Sequence, residues 1–184
     1  MITLELSLYS MRCRRELFLE KGWQFRRAGN CSSEFLDCQN FPTEIHRDLL
    51  HYDLIPDPFH GKNEDVVQWV GEADWLYRTK FDSPDLEKDE VVFLNFEGLD
   101  TFAVVHLNGY QILQTYNMFL SHKVEVTKYL CKDNINQLEI LFKSAWLEGK
   151  RLLHEHPDHV WVCSNGDPSR LAVRKAQYHY VNMH

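Results

Sequence analysis

The chain has no apolar run long enough to cross a membrane as a helix; none approaches the roughly 18 residues a span requires. It has no CxxC pair, and its five cysteines (Cys13, Cys31, Cys38, Cys131, Cys163) are odd in number. That argues against a disulfide framework and for reduced thiols inside a cell, with a Cys31–Cys38 bridge as the one open pairing. Basic residues are not in excess: 20 Lys and Arg stand against 27 Asp and Glu, a net charge of −7. Lys123, Lys128, Lys132 and Lys143 are scattered rather than striped. The chain is therefore not expected to bind nucleic acid or an anionic membrane. It lacks repeats and low-complexity segments. It also lacks a good signal peptide, because Glu5 interrupts the first apolar stretch and the basic residues follow it. The one sequon, Asn30-Cys31-Ser32, matters only in a secreted protein. The expected location is cytoplasmic.

What is present is apolar and aromatic surface, 44% and 13% of 184 residues. That suits one domain with a sizeable core and argues against disorder. Residues 1–21 read as an N-terminal extension, with 11–21 compatible with a short helix. Residues 23–27 alternate as a strand, and 28–43 read as a polar loop. Residues 43–50 suit a helical turn with Thr43 as N-cap, whereas Pro56 and Pro58 forbid a regular element around them. Strands are expected at 74–81, 91–96 and 101–107. Asn108-Gly109 is a strong hairpin signal, because both residues tolerate positive φ. Residues 123–126 and 136–142 add strands, 127–130 a helical turn, and 144–156 a helix with Trp146, Gly149, Leu152 and Leu153 on one face. Short strands at this spacing predict an all-β fold, an antiparallel sandwich or barrel, with a few short helices.

Residues 57–81 set Trp69, Trp75 and Tyr77 among Glu64, Asp65, Glu72, Asp74 and Arg78. Aromatic faces beside carboxylates are a common way to hold sugars. Trp75 alternates with Tyr77 in a predicted strand and is expected inside. Trp69 falls outside that strand and is the candidate substrate-binding residue. The carboxylates are expected as a solvated face, since no spacing fixes their separation. Arg47 with Asp48, and Arg78 with Asp74, are expected as structural ion pairs. His154, His156, His159 and Cys163 do not form HExxH, and Pro157 breaks the helix that would align them. No metal site and no cofactor are expected.

A longer pattern then emerges. Phe41-Pro42-Thr43-Glu44-Ile45-His46-Arg47-Asp48-Leu49-Leu50 precedes Leu54-Ile55-Pro56-Asp57-Pro58-Phe59. Asn63-Glu64, Val67-Gln68-Trp69-Val70 and Asp74-Trp75-Leu76-Tyr77-Arg78 follow. Further on come Phe96-Glu97-Gly98-Leu99-Asp100-Thr101, Leu107-Asn108-Gly109 and Asn117-Met118-Phe119. Over residues 23–180 this set resembles the N-terminal domain of the β-mannosidases of glycoside hydrolase family 2, of the intracellular type common in fungi. The resemblance implies a jelly-roll β-sandwich similar to galactose-binding domains, here spanning residues 22–184. It also implies an immunoglobulin-like domain and a (β/α)₈ barrel as partners elsewhere in a longer chain, with β-mannoside oligosaccharides as ligands of the full-length relative. In the family the barrel carries both catalytic glutamates. Retaining hydrolysis needs two carboxyl groups roughly 5 Å apart, and the resemblance assigns neither to these residues, so this chain alone is expected to be inactive. Arg174-Lys175-Ala176-Gln177-Tyr178-His179-Tyr180 matches the family, which continues with Gly-Trp-Asp-Trp-Gly-Pro toward the bound mannose. Here Val181-Asn182-Met183-His184 follows, so no ligand role carries over and the domain is expected to be incomplete at that end. Three functions stay open: an accessory domain of a β-mannosidase, a free-standing carbohydrate-binding module, and a non-functional truncated product.

Overall fold

The computed structural model describes residues 1–8, 14–29, 33–132, 134–159, 162 and 167–175. Two antiparallel sheets enclose one core. Strands β1 (Ile2–Leu8) and β2 (Arg14–Phe18) begin the chain, followed by β3 (Gln24–Arg27) and the two-residue β4 (Leu36–Asp37). After helices α1 (Ile45–His51) and α2 (Asn63–Val66) come β5 (Trp75–Asp82), β6 (Glu90–Phe96), β7 (Phe102–Leu107), β8 (Tyr110–Tyr116) and β9 (His122–Glu125). Strand β10 (Ile135–Lys143) and helix α3 (Ala145–Glu155) complete the regular elements. Short 3₁₀ turns lie at Gln68–Val70, Thr127–Tyr129 and Pro168–Ala172. The small sheet runs β2-β1-β6-β9 and the large one β4-β3-β5-β10-β7-β8.

The alternation that predicts the strands also fills the core. Trp75, Tyr77 and Thr79 of β5 point inward, as do Val92, Leu94 and Phe96 of β6 and Ala103, Val105 and Leu107 of β7. Asn108 and Gly109 turn the β7–β8 hairpin at φ 51° and 83°. Asn108 also ties the turn to β10, accepting from the Gln137 amide at 2.9 Å and donating to Asn136 at 2.7 Å. Trp23 stacks on Phe41 with centroids 4.3 Å apart, and its Nε1 donates to the Leu19 carbonyl at 2.7 Å. Ser144 caps α3 by accepting from the Leu147 amide at 3.1 Å. Gly149 lies where α3 meets the turn at 168–172: a Cβ there would strike the Ser169 carbonyl.

Three local expectations are corrected. Within 11–21, residues Arg14–Phe18 form a strand rather than a helix. They pair with β1, whose inward residues Leu4 and Leu6 are fully buried. β1 itself sits between β2 and β6, inside the small sheet. Its alternation is disguised by Glu5, which is buried on the other face of the strand. There Lys123 Nζ meets its two carboxylate oxygens at 2.8 and 2.9 Å, and Asn95 donates at 3.0 Å. Thr43 does not cap α1. Glu44 occupies that position without a side-chain bond, and the Thr43 hydroxyl donates instead to Asp48 at 3.0 Å. The loop at 28–43 contains the short strand β4.

Candidate functional site

Trp69 stands on the 3₁₀ turn that follows α2, with 36% of its surface exposed. Its ring lies 6.0 Å from that of Trp75 at 46°, and the Arg27 guanidinium sits 5.6 Å from its centroid. Trp75 is buried, and its Nε1 donates to the Val70 carbonyl at 3.0 Å. That bond anchors the turn carrying Trp69 to the core. Tyr77 is buried beside Phe25 and Phe142. One ring of the sequence-level trio thus reaches the surface, and the other two belong to the core.

The neighbouring carboxylates play separate parts. Asp65 and Glu72 are exposed and Glu64 is half-buried. Asp74 accepts the Ser144 amide at 2.7 Å, while the Ser144 hydroxyl donates to the Gly71 carbonyl at 2.6 Å. Asp74 therefore joins the start of β5 to the start of α3. The expected Asp74–Arg78 ion pair does not form, because Arg78 lies on the outer face of β5. There it donates to Gln24 at 3.0 Å and its guanidinium lies 3.4 Å from the Phe35 centroid.

Sequence spacing pairs Asp48 only with Arg47, whereas the fold gathers a cluster of titratable groups around it. Asp48 of α1 is buried, accepting from Thr43 at 3.0 Å and from the Tyr77 hydroxyl at 3.0 Å. Burial pushes its carboxyl above the ordinary range, opposed by hydrogen bonds from Thr43, Tyr77 and Cys38. Arg47, its expected partner, contributes only through its charge. Burial likewise pushes the Cys38 thiol and the Tyr77 phenol up, and the Asp48 charge adds to both. Desolvation lowers His46, with Glu44 opposing. The cluster fastens α1 to β5, and Cys38 is a free thiol. Cys13, Cys31 and Cys163, the sequon and the last nine residues lie outside the described residues. His154, His156 and His159 are exposed around the end of α3. Among the described residues no group of three metal-ligating side chains comes together.

Two antiparallel sheets over one core define a jelly-roll β-sandwich of the galactose-binding-like class. The chain belongs to the glycosyl hydrolase 2 galactose-binding domain-like family, whose model matches residues 23–181. It is 56% identical over 162 residues to a β-mannosidase B of Thermothelomyces thermophilus and 45% identical over 163 residues to one of Emericella nidulans. Each match covers 88% of this chain and 19% of the relative, so the chain spans about a fifth of the length of these curated relatives. Among solved structures, the β-D-mannosidase of Dictyoglomus thermophilum matches with a TM-score of 0.76 and 34% identity, over 88% of this chain and 19% of that one. An exo-chitosanase of Amycolatopsis orientalis, at 17% identity and a TM-score of 0.58, shares the fold.

Proposed function

We propose that this chain serves as the N-terminal accessory sandwich of a β-mannosidase that releases terminal non-reducing β-linked mannose. In this reading the barrel and the immunoglobulin-like domain are its partners, the carboxyl pair for hydrolysis lies in the barrel, and the protein works in the cytoplasm. The observation that carries it is the 56% identity to a β-mannosidase B over 88% of the chain. The test is a chimera in which these residues replace the matching region of that relative, assayed on a chromogenic β-mannoside. The folded chimera is expected to turn over the substrate, and the 184-residue chain alone is not. A folded but inactive chimera, or turnover by the chain alone, refutes the reading.

A second reading, a free-standing carbohydrate-binding module, is favoured by the exposed ring of Trp69, the residue we propose as a sugar contact. Titration of the chain with mannose and mannobiose, followed by tryptophan fluorescence, tests it. A shift in the parent chain that Trp69→Ala abolishes supports the contact; no shift removes it.

A further inference from the structure

Asn108 and Gly109 turn the β7–β8 hairpin, and Asn-Gly is also the dipeptide most prone to one covalent change. Glycine carries no Cβ, so its amide nitrogen can close on the side-chain carbonyl of the residue before it. The Gly109 nitrogen attacks Cγ of Asn108 and gives up its proton, and the bond from Cγ to Nδ2 breaks. The proton leaves with Nδ2 as ammonia, and a cyclic imide remains. Water then opens the ring at either carbonyl, giving aspartate or isoaspartate; no group is oxidised or reduced. The reaction needs a side-chain amide free to rotate over the next peptide nitrogen, and a turn open to water. Gly109 meets the second condition: it is exposed, and a Cβ placed on it would meet nothing within 4 Å.

The side chain of Asn108 does not meet the first condition. Its Nδ2 donates to the Tyr129 carbonyl at 2.8 Å and to Asn136 Oδ1 at 2.7 Å. Its Oδ1 accepts from the Gln137 amide at 2.9 Å, and its backbone amide donates to the Gln137 carbonyl at 2.9 Å. Both ends of the side-chain amide are therefore fixed by other segments. Asn136 is itself fully buried, accepting from the Cys131 amide at 2.8 Å and donating to Ser83 at 2.9 Å. Swinging Cγ onto the Gly109 nitrogen requires the three side-chain bonds of Asn108 to break together, so the reaction must pass through an opened turn. The same clamp discriminates against the product. An ionised aspartate has no donor. One oxygen would still accept from Gln137, but the other would face the Tyr129 carbonyl and Asn136 Oδ1 with no hydrogen between them. Isoaspartate adds a methylene to the backbone of a two-residue turn and spoils its register.

We propose that Asn108 is a deamidation site gated by folding: the native clamp suppresses the reaction, unfolding releases it, and the product cannot rebuild the turn. A transient unfolding of this chain thus leaves a covalent mark. None of this depends on the role in a β-mannosidase. The experiment incubates the full chain in mildly alkaline buffer, with and without urea, and follows its peptides by mass for conversion of amide to acid. Asn165-Gly166, which lies outside the described residues, calibrates the urea arm, where the two Asn-Gly pairs should react alike. Conversion at Asn108 is expected to be at least about tenfold slower in buffer than in urea, since it draws on the opened population alone. Asn136→Ala, shown by circular dichroism to be folded, is expected to speed conversion at Asn108 in buffer toward the urea rate. Asn108→Asp is expected to melt below the parent. Conversion in buffer at the urea rate overturns the proposal. So does an unchanged slow rate in folded Asn136→Ala, which removes the clamp as the cause. Melting of Asn108→Asp at the parental temperature overturns it too, because the product is then tolerated. Should Asn136→Ala not fold, the parent's two rates and the melting of Asn108→Asp still decide.

Discussion

At the scale of single residues, Asp48 has the most to test. Its carboxyl is raised by burial, so the folded state keeps that proton to higher pH than the unfolded chain does. The resulting stabilisation is complete below the ordinary carboxylate pKa of about 4 and is lost as pH rises through the folded value. In urea unfolding, Asp48→Asn should remove this contribution and flatten the decline of stability above about pH 4; an unchanged pH profile would contradict the burial account. Asp48→Ala should cost about 1–3 kcal/mol, because the Tyr77 and Thr43 hydroxyls lose a shared acceptor. The raised Cys38 thiol should resist iodoacetamide at neutral pH and react once urea unfolds the chain. Fast alkylation of the folded chain at Cys38 would show the site to be open. Trp75 and Tyr77 were legible as core from strand alternation alone. Asp48 was not, because the tyrosine that holds it lies 29 residues away in another element.

At the scale of elements, most strands and α3 follow from periodicity and from the Asn108-Gly109 turn. β1 and β2 escaped because charge interrupts their pattern. The reason is local: Glu5 faces away from the core and is matched by Lys123 from β9, an arrangement no window of neighbouring residues reveals. Lys123→Ala should cost about 2 kcal/mol by taking the cation from that buried carboxylate, which keeps Asn95 as a donor. A melting temperature equal to the parent's would show that Asn95 and the other partners of Glu5 suffice. Gly149→Ala is a contrary case. Alanine favours a helix by about 1 kcal/mol, yet the clash with the Ser169 carbonyl should make the variant less stable by about 1–3 kcal/mol. A gain in denaturation midpoint would mean that the turn at 168–172 yields without penalty.

At the scale of the whole molecule, Leu54, Phe59, Val66 and Trp69 are exposed within one segment, as are Tyr116, Phe119 and Leu120 in another. Surface of this kind suits contact with further domains. The chain alone should therefore bind an apolar dye and self-associate in sedimentation at high concentration, despite its net charge of −7. A monodisperse monomer with no dye signal would speak against such contacts. The fold class and family placement were legible from sequence, whereas which rings reach solvent depended on packing. The place of β1 has a consequence for synthesis. Ile2–Leu8 is made well before its partner β6, yet Leu8 pairs with Glu90 and Ile2 with Phe96. An inner strand of the small sheet must wait, with leucines exposed, until β6 has emerged. Slow translation between them lengthens the interval in which a nascent chain offers an unpaired edge to chaperones or to its neighbours on a polysome.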